Sequence, residues 1–511
     1  MKQRQASPLI RGTIILTLAG LLSKVLGFIM RIFLSRYLGA EGIGIVQLVS
    51  PLHVLGVVIA SYGIQTAISR FVSSTPNHSS ERFRVLKTGV VLGFSLAVFY
   101  SLILFVFSPE LAAYLLGEAE CTPLLRVAAI CIPLETIHHC INGYYYGTRK
   151  TGVPALSQLI EQSVRITSLW LIFAITAKEG ITFTPLHAVL GNLAGDIASM
   201  LFNLTALSLE KRVGKNLPCV NCSSYGQILR RIGNVALPLT CSQTITHIFH
   251  SVETVLIPTM LRAHGYDNST ALSMYGILTG MALPLILFPS TLTNSFAVLL
   301  LPTISEAYSR GNHRLIDVLT RHTIHVCLLL GIFSTGFFIT MGGETGQLLY
   351  DNSLAGSYIV TLGFLCPFLF LNMTLSSVLN GLGKTALVFR NNLIGLSIRI
   401  LFAVCIIPKI GIYGYFMGFL LSSCIITLLL VLSIRSYVQP VFEPLEYLCK
   451  PIVAFSFSHL AFSLLTSFLP LPAGFIGLCC KALLLLLLYV LFLKFFIRNF
   501  SIRGLAKPFH Q

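Results

Sequence analysis

Apolar residues along this chain fall into long runs, and polar and charged residues gather in short clusters between them. A helix needs about 20 predominantly apolar residues to cross a bilayer. Fourteen stretches meet that length, near 12–35, 43–72, 86–108, 122–146, 153–176, 186–209, 232–261, 272–303, 318–341, 355–381, 386–407, 411–434, 449–469 and 473–496. The pattern predicts an all-α polytopic membrane protein. Its least regular parts are 232–261 and 272–303, where Pro238, Pro258, Pro284 and Pro289 interrupt the run.

The basic residues punctuate these runs unevenly. When loops are assigned to alternating sides, 24 Lys and Arg residues fall on one side, and only Arg36, Lys178, Arg262 and Lys409 on the other. The positive-inside rule makes the richer side cytoplasmic and places both termini there. The chain has 511 residues, 55% of them hydrophobic and 10% charged, with a formal net charge of +17. Soluble domains carry about 25% charged residues. Because the excess charge tracks the loops, it reads as a topology signal and argues against a nucleic-acid partner.

A repeat runs through the pattern. "GTRKTGVPALSQLIEQSVRI" (147–166) matches "GLGKTALVFRNNLIGLSIRI" (381–400) at an offset of 234. Pro133 and Pro367 keep that offset, and "GNLAGDIAS" (191–199) echoes "GYFMGFLLS" (414–422). Six spans form the unit, so both copies share one orientation. Two six-helix lobes related by a pseudo-twofold axis along the membrane normal are expected, a transporter plan. The expected domains are 1–226 (spans 1–6), 227–436 (spans 7–12) and 437–511 (spans 13–14 and a tail).

Charges inside the spans are the candidate chemistry. Lys24 lies 12 residues into span 1, about 18 Å deep at 1.5 Å per residue, and Arg31 follows two turns later. Arg165 reaches about 18 Å into span 5, and the repeat puts Arg399 at the same depth in span 11. A charge at the bilayer centre costs about 2.5–3.5 kcal/mol on insertion scales. Glu161 sits one turn from Arg165 on the same face, and Gly395 replaces it in the second copy. The symmetric cations suggest a cavity for an anion, since a guanidinium fork suits phosphate. Lys24, Arg31, Arg165, Arg399 and Glu161 are therefore the expected substrate-binding residues. Glu135, His139, Asp196 and Glu253 are the expected gate or coupling residues, with coupling to H+, Na+ or the membrane potential left open. Arg31 and Glu253 are expected to pair as an outer gate. Lys481 is expected to snorkel toward the interface.

Other features carry less. His247, His250 and Glu253 have H-x2-H-x2-E spacing, which reads as packed or pore-facing histidines rather than a metal site. Most of the thirteen cysteines lie in spans, and the "CVNC" of Cys219 and Cys222 reads as reduced thiols. The N-terminal apolar stretch is too long for a signal-peptide core. The outer loops near 109–121 and 342–354 leave no room for a catalytic domain, so neither an enzyme nor a cofactor is expected.

"SKVLGFIMRIFLSRYLGAEGIGIVQL" (23–48), "LIEQSVRI" (159–166), "VETVLIP" (252–258) and "LLLPTISEAYSRGN" (299–312) resemble the MOP flippase superfamily. Within it the chain most resembles the polysaccharide-exporter branch and its stage V sporulation members, with lipid II flippases related. The resemblance implies two six-helix lobes plus two helices, and export of an undecaprenyl-pyrophosphate-linked sugar or peptidoglycan precursor across the bacterial cytoplasmic membrane by alternating access. It implies a cell-wall or spore-cortex role, with the lipid-linked glycan, membrane lipid and wall-synthesis enzymes as partners. Lys24 stands where lipid II flippases have a first-span arginine, and Arg31 one residue beyond their second. Their span-2 arginine pair has no match in the uncharged "LHVLGVVIASYG" (52–63). The competing readings are a multidrug cation antiporter of the same fold, a non-transporting scaffold of cortex synthesis, and a membrane glycosyltransferase.

Overall fold

The computed structural model describes residues 8–75, 80–213, 224–438, 445–468, 472 and 474–496. Among these residues the regular structure is helical throughout, with no strand. Among the described residues, eleven helices are long and apolar enough to cross a membrane. The first of them, Leu16–Ser74, has 59 residues, far more than the ~20 one crossing needs. It turns at Gly39, whose φ of 69° and ψ of −178° break an otherwise continuous helix. The stretches expected at 186–209 and 232–261 are the helices Pro185–Val213 and Tyr225–His264. Pro238 and Pro258 lie inside the latter without ending it. Around 272–303 the helix does break, at Phe288 and Pro289, between Leu283–Leu287 and Ser290–Ser309. Cys219 and Cys222 lie outside the described residues.

The chain forms two compact units, Met1–Thr259 and Met260–Gln511. In the first, Ser80–Val106 packs on Cys121–Gly147, which packs on Pro185–Val213, which packs on Gly152–Glu179. In the second, His313–Tyr350 packs on Cys366–Gly381, which packs on Ile412–Arg435, which packs on Thr385–Cys405. The same order of pairings recurs in both units, at an offset of 234 between 147–166 and 381–400 and of 223 between 191–199 and 414–422. In both units large apolar side chains such as Phe99, Trp170 and Leu401 stay exposed, as lipid-facing residues must. Interior hydroxyls bond carbonyls one turn back, as Thr136 does to Ile132 O at 2.8 Å and Thr345 to Met341 O at 2.6 Å.

The expected outer loop at 342–354 is shorter than the glycines in it suggest. The helix His313–Tyr350 runs through Gly342, Gly343 and Gly346, and Asn352 caps the next helix, Ser353–Leu362, by accepting from Ala355 N at 3.0 Å. The glycines are there for contact between helices rather than for a turn. A Cβ on Gly346 would overlap the backbone N and Cα of Gly356. Small residues of this kind let membrane helices approach closely. Gly346→Val should therefore lower the thermal stability of the detergent-purified protein, by about 1–3 kcal/mol or more because backbone cannot yield as a side chain can. Gly343, with nothing within 4 Å of a built Cβ, is the control. Equal loss in Gly346→Val and Gly343→Ala would remove the close-packing argument.

The helices Lys450–Phe468 and Gly474–Phe496 pair with each other and lie along His313–Tyr350. The Tyr489 hydroxyl donates to Leu329 O at 3.3 Å, and its ring stacks on Phe333 at 5.4 Å. Lys481 has a partner: its Nζ donates to both carboxylate oxygens of Glu344, at 2.7 and 2.8 Å. Glu344 can meet it because the helix extends where a loop was expected.

Candidate functional site

Four segments of the first unit converge on one cavity of about 410 Å³. Arg31 and His53 come from the long N-terminal element. Glu135, His138 and His139 come from Cys121–Gly147, and Glu161 and Arg165 from Gly152–Glu179. Asn192 and Ser199 of Pro185–Val213 close the wall. Asp196 lies behind them, almost fully buried.

Arg165 is the centre of the polar contacts. Its Nη2 donates to Glu161 Oε1 at 2.9 Å and to Asp196 Oδ1 at 3.1 Å. The Glu161 contact is the expected one-turn pair. The Asp196 contact depends on a glycine. A Cβ on Gly195 would stand 2.9 Å from Glu161 O and 3.1 Å from Arg165 Cβ. Only hydrogen there lets Pro185–Val213 close against Gly152–Glu179 and bring its carboxylate to the guanidinium. Arg165 Nε and Asp196 Oδ2 are buried without a hydrogen bond, so one nitrogen carries both contacts.

Glu135 Oε1 lies 3.3 Å from His53 Nε2. The cluster thus holds three carboxylates around one doubly bonded arginine, with His53, His139 and Arg31 on the same cavity wall. Buried charge must be matched or neutralised. The residues that can match it here include Arg31 and the titratable imidazoles of His53 and His139, so the cluster's charge state can change by gaining or losing protons.

The remaining expected residues lie elsewhere. Lys24 is exposed. Glu253 is buried on Tyr225–His264, its Oε2 3.3 Å from His250 Nδ1. That contact takes up the H-x2-H-x2-E spacing. Arg399, in the second unit, stacks over the ring of Phe419, 4.8 Å from its centroid. Phe419 stands at the repeat position of Asp196, and Gly395 at that of Glu161. Arg165 thus meets two acids, and Arg399 lies against an aromatic face.

His53 and His138 were not anticipated, nor were Asn142 and Asn203 behind them. The signal was present as two polar stripes at steps of three and four, Glu135–His138–Asn142 and Asp196–Ser199–Asn203. A histidine in an apolar run does not stand out as a charge does.

The model of the family described as "Polysaccharide biosynthesis protein" matches residues 9–308, and that of the MatE family matches 256–405. Stage V sporulation protein B of Bacillus subtilis (strain 168) is 27% identical over 427 residues, 82% of each chain. The lipid II flippase MurJ of the same organism is 25% identical, over 68% of this chain and 67% of its own. A lipid II flippase MurJ structure in an inward closed conformation superposes with a TM-score of 0.72, at 17% identity, covering 95% of this chain and 99% of the other. A multidrug resistance MATE transporter of the MOP superfamily, inward-facing, gives a TM-score of 0.63 at 16% identity, over 81% and 94%. By sequence and by fold, this multi-pass membrane protein belongs to the polysaccharide biosynthesis protein family of the MOP superfamily.

Proposed function

We propose that the protein exports an undecaprenyl-pyrophosphate-linked sugar or peptidoglycan precursor across the bacterial cytoplasmic membrane by alternating access, for wall or spore-cortex synthesis. The observation that carries this reading is that the helices hold guanidinium groups, Arg31 and Arg165 on the wall of the first unit's cavity and Arg399 over Phe419 in the second unit. We assign the pyrophosphate to Arg399, with Lys24 and Arg31 as further substrate-binding cations. The cluster of Glu135, Glu161, Arg165, Asp196 and His139, joined by His53, is the coupling centre, and protons are its ion. Support for the substrate class comes from the names of two relatives, a stage V sporulation protein and a lipid II flippase. In this reading fourteen spans, lobes 1–226 and 227–436 and the segment 437–511 are arranged with both termini cytoplasmic, and wall-synthesis enzymes consume the product.

Proteoliposomes containing a fluorescent lipid-linked precursor test this. Label should reach the far leaflet faster than in protein-free vesicles, and faster still with an imposed pH gradient. The acid-rich cavity of the first unit favours one other reading, efflux of an organic cation. The same vesicles loaded with ethidium decide between them: cation efflux without precursor movement would replace the first reading with the second.

Arg31 and Glu253 form the outer gate in this scheme. Cysteines at the two positions should crosslink readily in the resting protein and block transport when joined. Separation above about 15 Å in every state, against roughly 4 Å for an ion pair, would end the gate assignment.

A further inference from the structure

Behind the cavity lies a buried polar group that the coupling centre does not use. His138 lines the cavity, and each of its ring nitrogens has polar neighbours. Nε2 is 2.7 Å from Asn142 Nδ2. Nδ1 is 3.4 Å from Ser157 Oγ and 3.3 Å from Asn203 Nδ2. Asn203 Nδ2 also donates to Asn142 Oδ1 at 3.1 Å. Ser157 and Asn203 are fully buried, and Asn203 Oδ1 is buried with no hydrogen-bond partner.

These contacts define a protonation state. An amide nitrogen has only hydrogens to offer, so Nε2 must present its lone pair to Asn142. The ring proton then sits on Nδ1, where it reaches Ser157 Oγ at 3.4 Å but also meets the Asn203 amide nitrogen, a second donor, at 3.3 Å. His138 is neutral in this arrangement. A second proton on Nε2 would set N–H against N–H across 2.7 Å. The conflict is relieved if Asn142 turns its Oδ1 toward Nε2. Its amide nitrogen then faces that of Asn203, so Asn203 must turn as well. That second turn presents the unpartnered Asn203 Oδ1 to Asn142 Nδ2. Both amides then bond in the opposite sense, and the orphaned acceptor gains a donor.

We propose that His138 is a second proton-binding site of the transporter, read out by a concerted turn of the Asn142 and Asn203 amides that passes its state from Cys121–Gly147 to Pro185–Val213. The inference rests on the coupling reading and adds to it a station with a defined direction. The charged and titratable groups that share the cavity with His138, or border it, are Glu135 and His139 on its own helix, Glu161 and Arg165 on Gly152–Glu179, Asp196 on Pro185–Val213, and Arg31 and His53 on the N-terminal element. They supply and withdraw the proton. Beyond Asn203, two turns along the same helix, Glu210 accepts from Tyr144 Oη at 3.2 Å and from Lys150 Nζ at 2.9 Å. Between lies an apolar layer that includes Ile141, Tyr145 and Leu207. The step is a proton transfer: an O–H bond of a protonated cavity carboxyl, or an N–H bond of a cavity imidazolium, breaks as the bond to His138 Nε2 forms, and the reverse transfer returns the proton.

Solid-state NMR of the full-length protein in lipid vesicles, with 15N-histidine and 15N-asparagine, tests this between pH 5 and 9. One titrating imidazole should disappear in His138→Gln, and in the wild type two asparagine side-chain signals should shift with it. Asn203→Ser should keep the imidazole titration and lose the asparagine response, which serves if His138→Gln fails to fold. In transport, His138→Gln should reduce the stimulation by a pH gradient at least tenfold. An unchanged set of titrating histidines in His138→Gln overturns the site. Titration of His138 without movement of either asparagine overturns the relay. Vesicles that move no precursor while this titration persists overturn the function proposed above and leave His138 standing.

Discussion

Arg165→Ala should remove transport and most of the folded protein together. The substitution leaves Glu161 and the almost fully buried Asp196 facing each other without a cation. Breaking a buried pair from one side costs about 3–5 kcal/mol, which approaches the 5–15 kcal/mol that holds a typical domain together. Removing Glu161 as well is not enough to restore folding, because Asp196 is still unmatched. Arg165→Met combined with Glu161→Gln and Asp196→Asn removes every charge while keeping the volume. That triple variant should recover the amount of folded protein, measured by fluorescence-detected size exclusion, and remain inactive in vesicles. Recovery of transport as well would show the triad to be a structural fastening and would end its role in coupling.

Arg399→Ala should behave differently, with normal folded yield and transport reduced at least a hundredfold. The guanidinium is half-buried over Phe419, a contact worth about 0.5–2 kcal/mol. Loss of that amount is tolerable. Loss of the planar, bidentate phosphate donor is not, and Arg399→Lys should restore only part of the activity because an ammonium lacks the fork. Phe419→Asp is the sharper variant, since it copies the first unit's pair into the second. It should keep the arginine and the fold and weaken precursor binding, because the anion site is already filled. Normal precursor movement in either Arg399→Ala or Phe419→Asp would show that the phosphate is met elsewhere.

Much of the architecture could be read from the sequence. Apolar runs gave the helices, and the match of 147–166 to 381–400 gave the pairing pattern that both units share. The one-turn pair of Glu161 and Arg165 followed from helical spacing alone. The second acid on Arg165 did not, because Asp196 is 31 residues away and reaches it only through the close approach that Gly195 permits. Glycine also misled in the other direction. Gly342, Gly343 and Gly346 resemble a loop in sequence, and the structure uses Gly342 and Gly346 to seat one helix against the next. The histidines were missed for a third reason. Their roles are set by neighbours on other helices, and no pattern along one helix records those.

Gly39 has a mechanical consequence. Span 1, with Lys24 and Arg31, and span 2, with His53, are joined by one residue where most membrane hairpins have a loop. Its backbone angles lie in a region that is essentially confined to glycine. Only two soft torsions therefore separate the helices. A flexible loop would absorb a tilt of span 1 as slack. This corner instead transmits it to span 2 as torque, so the helix carrying Arg31 and the helix carrying His53 move as the two arms of one lever.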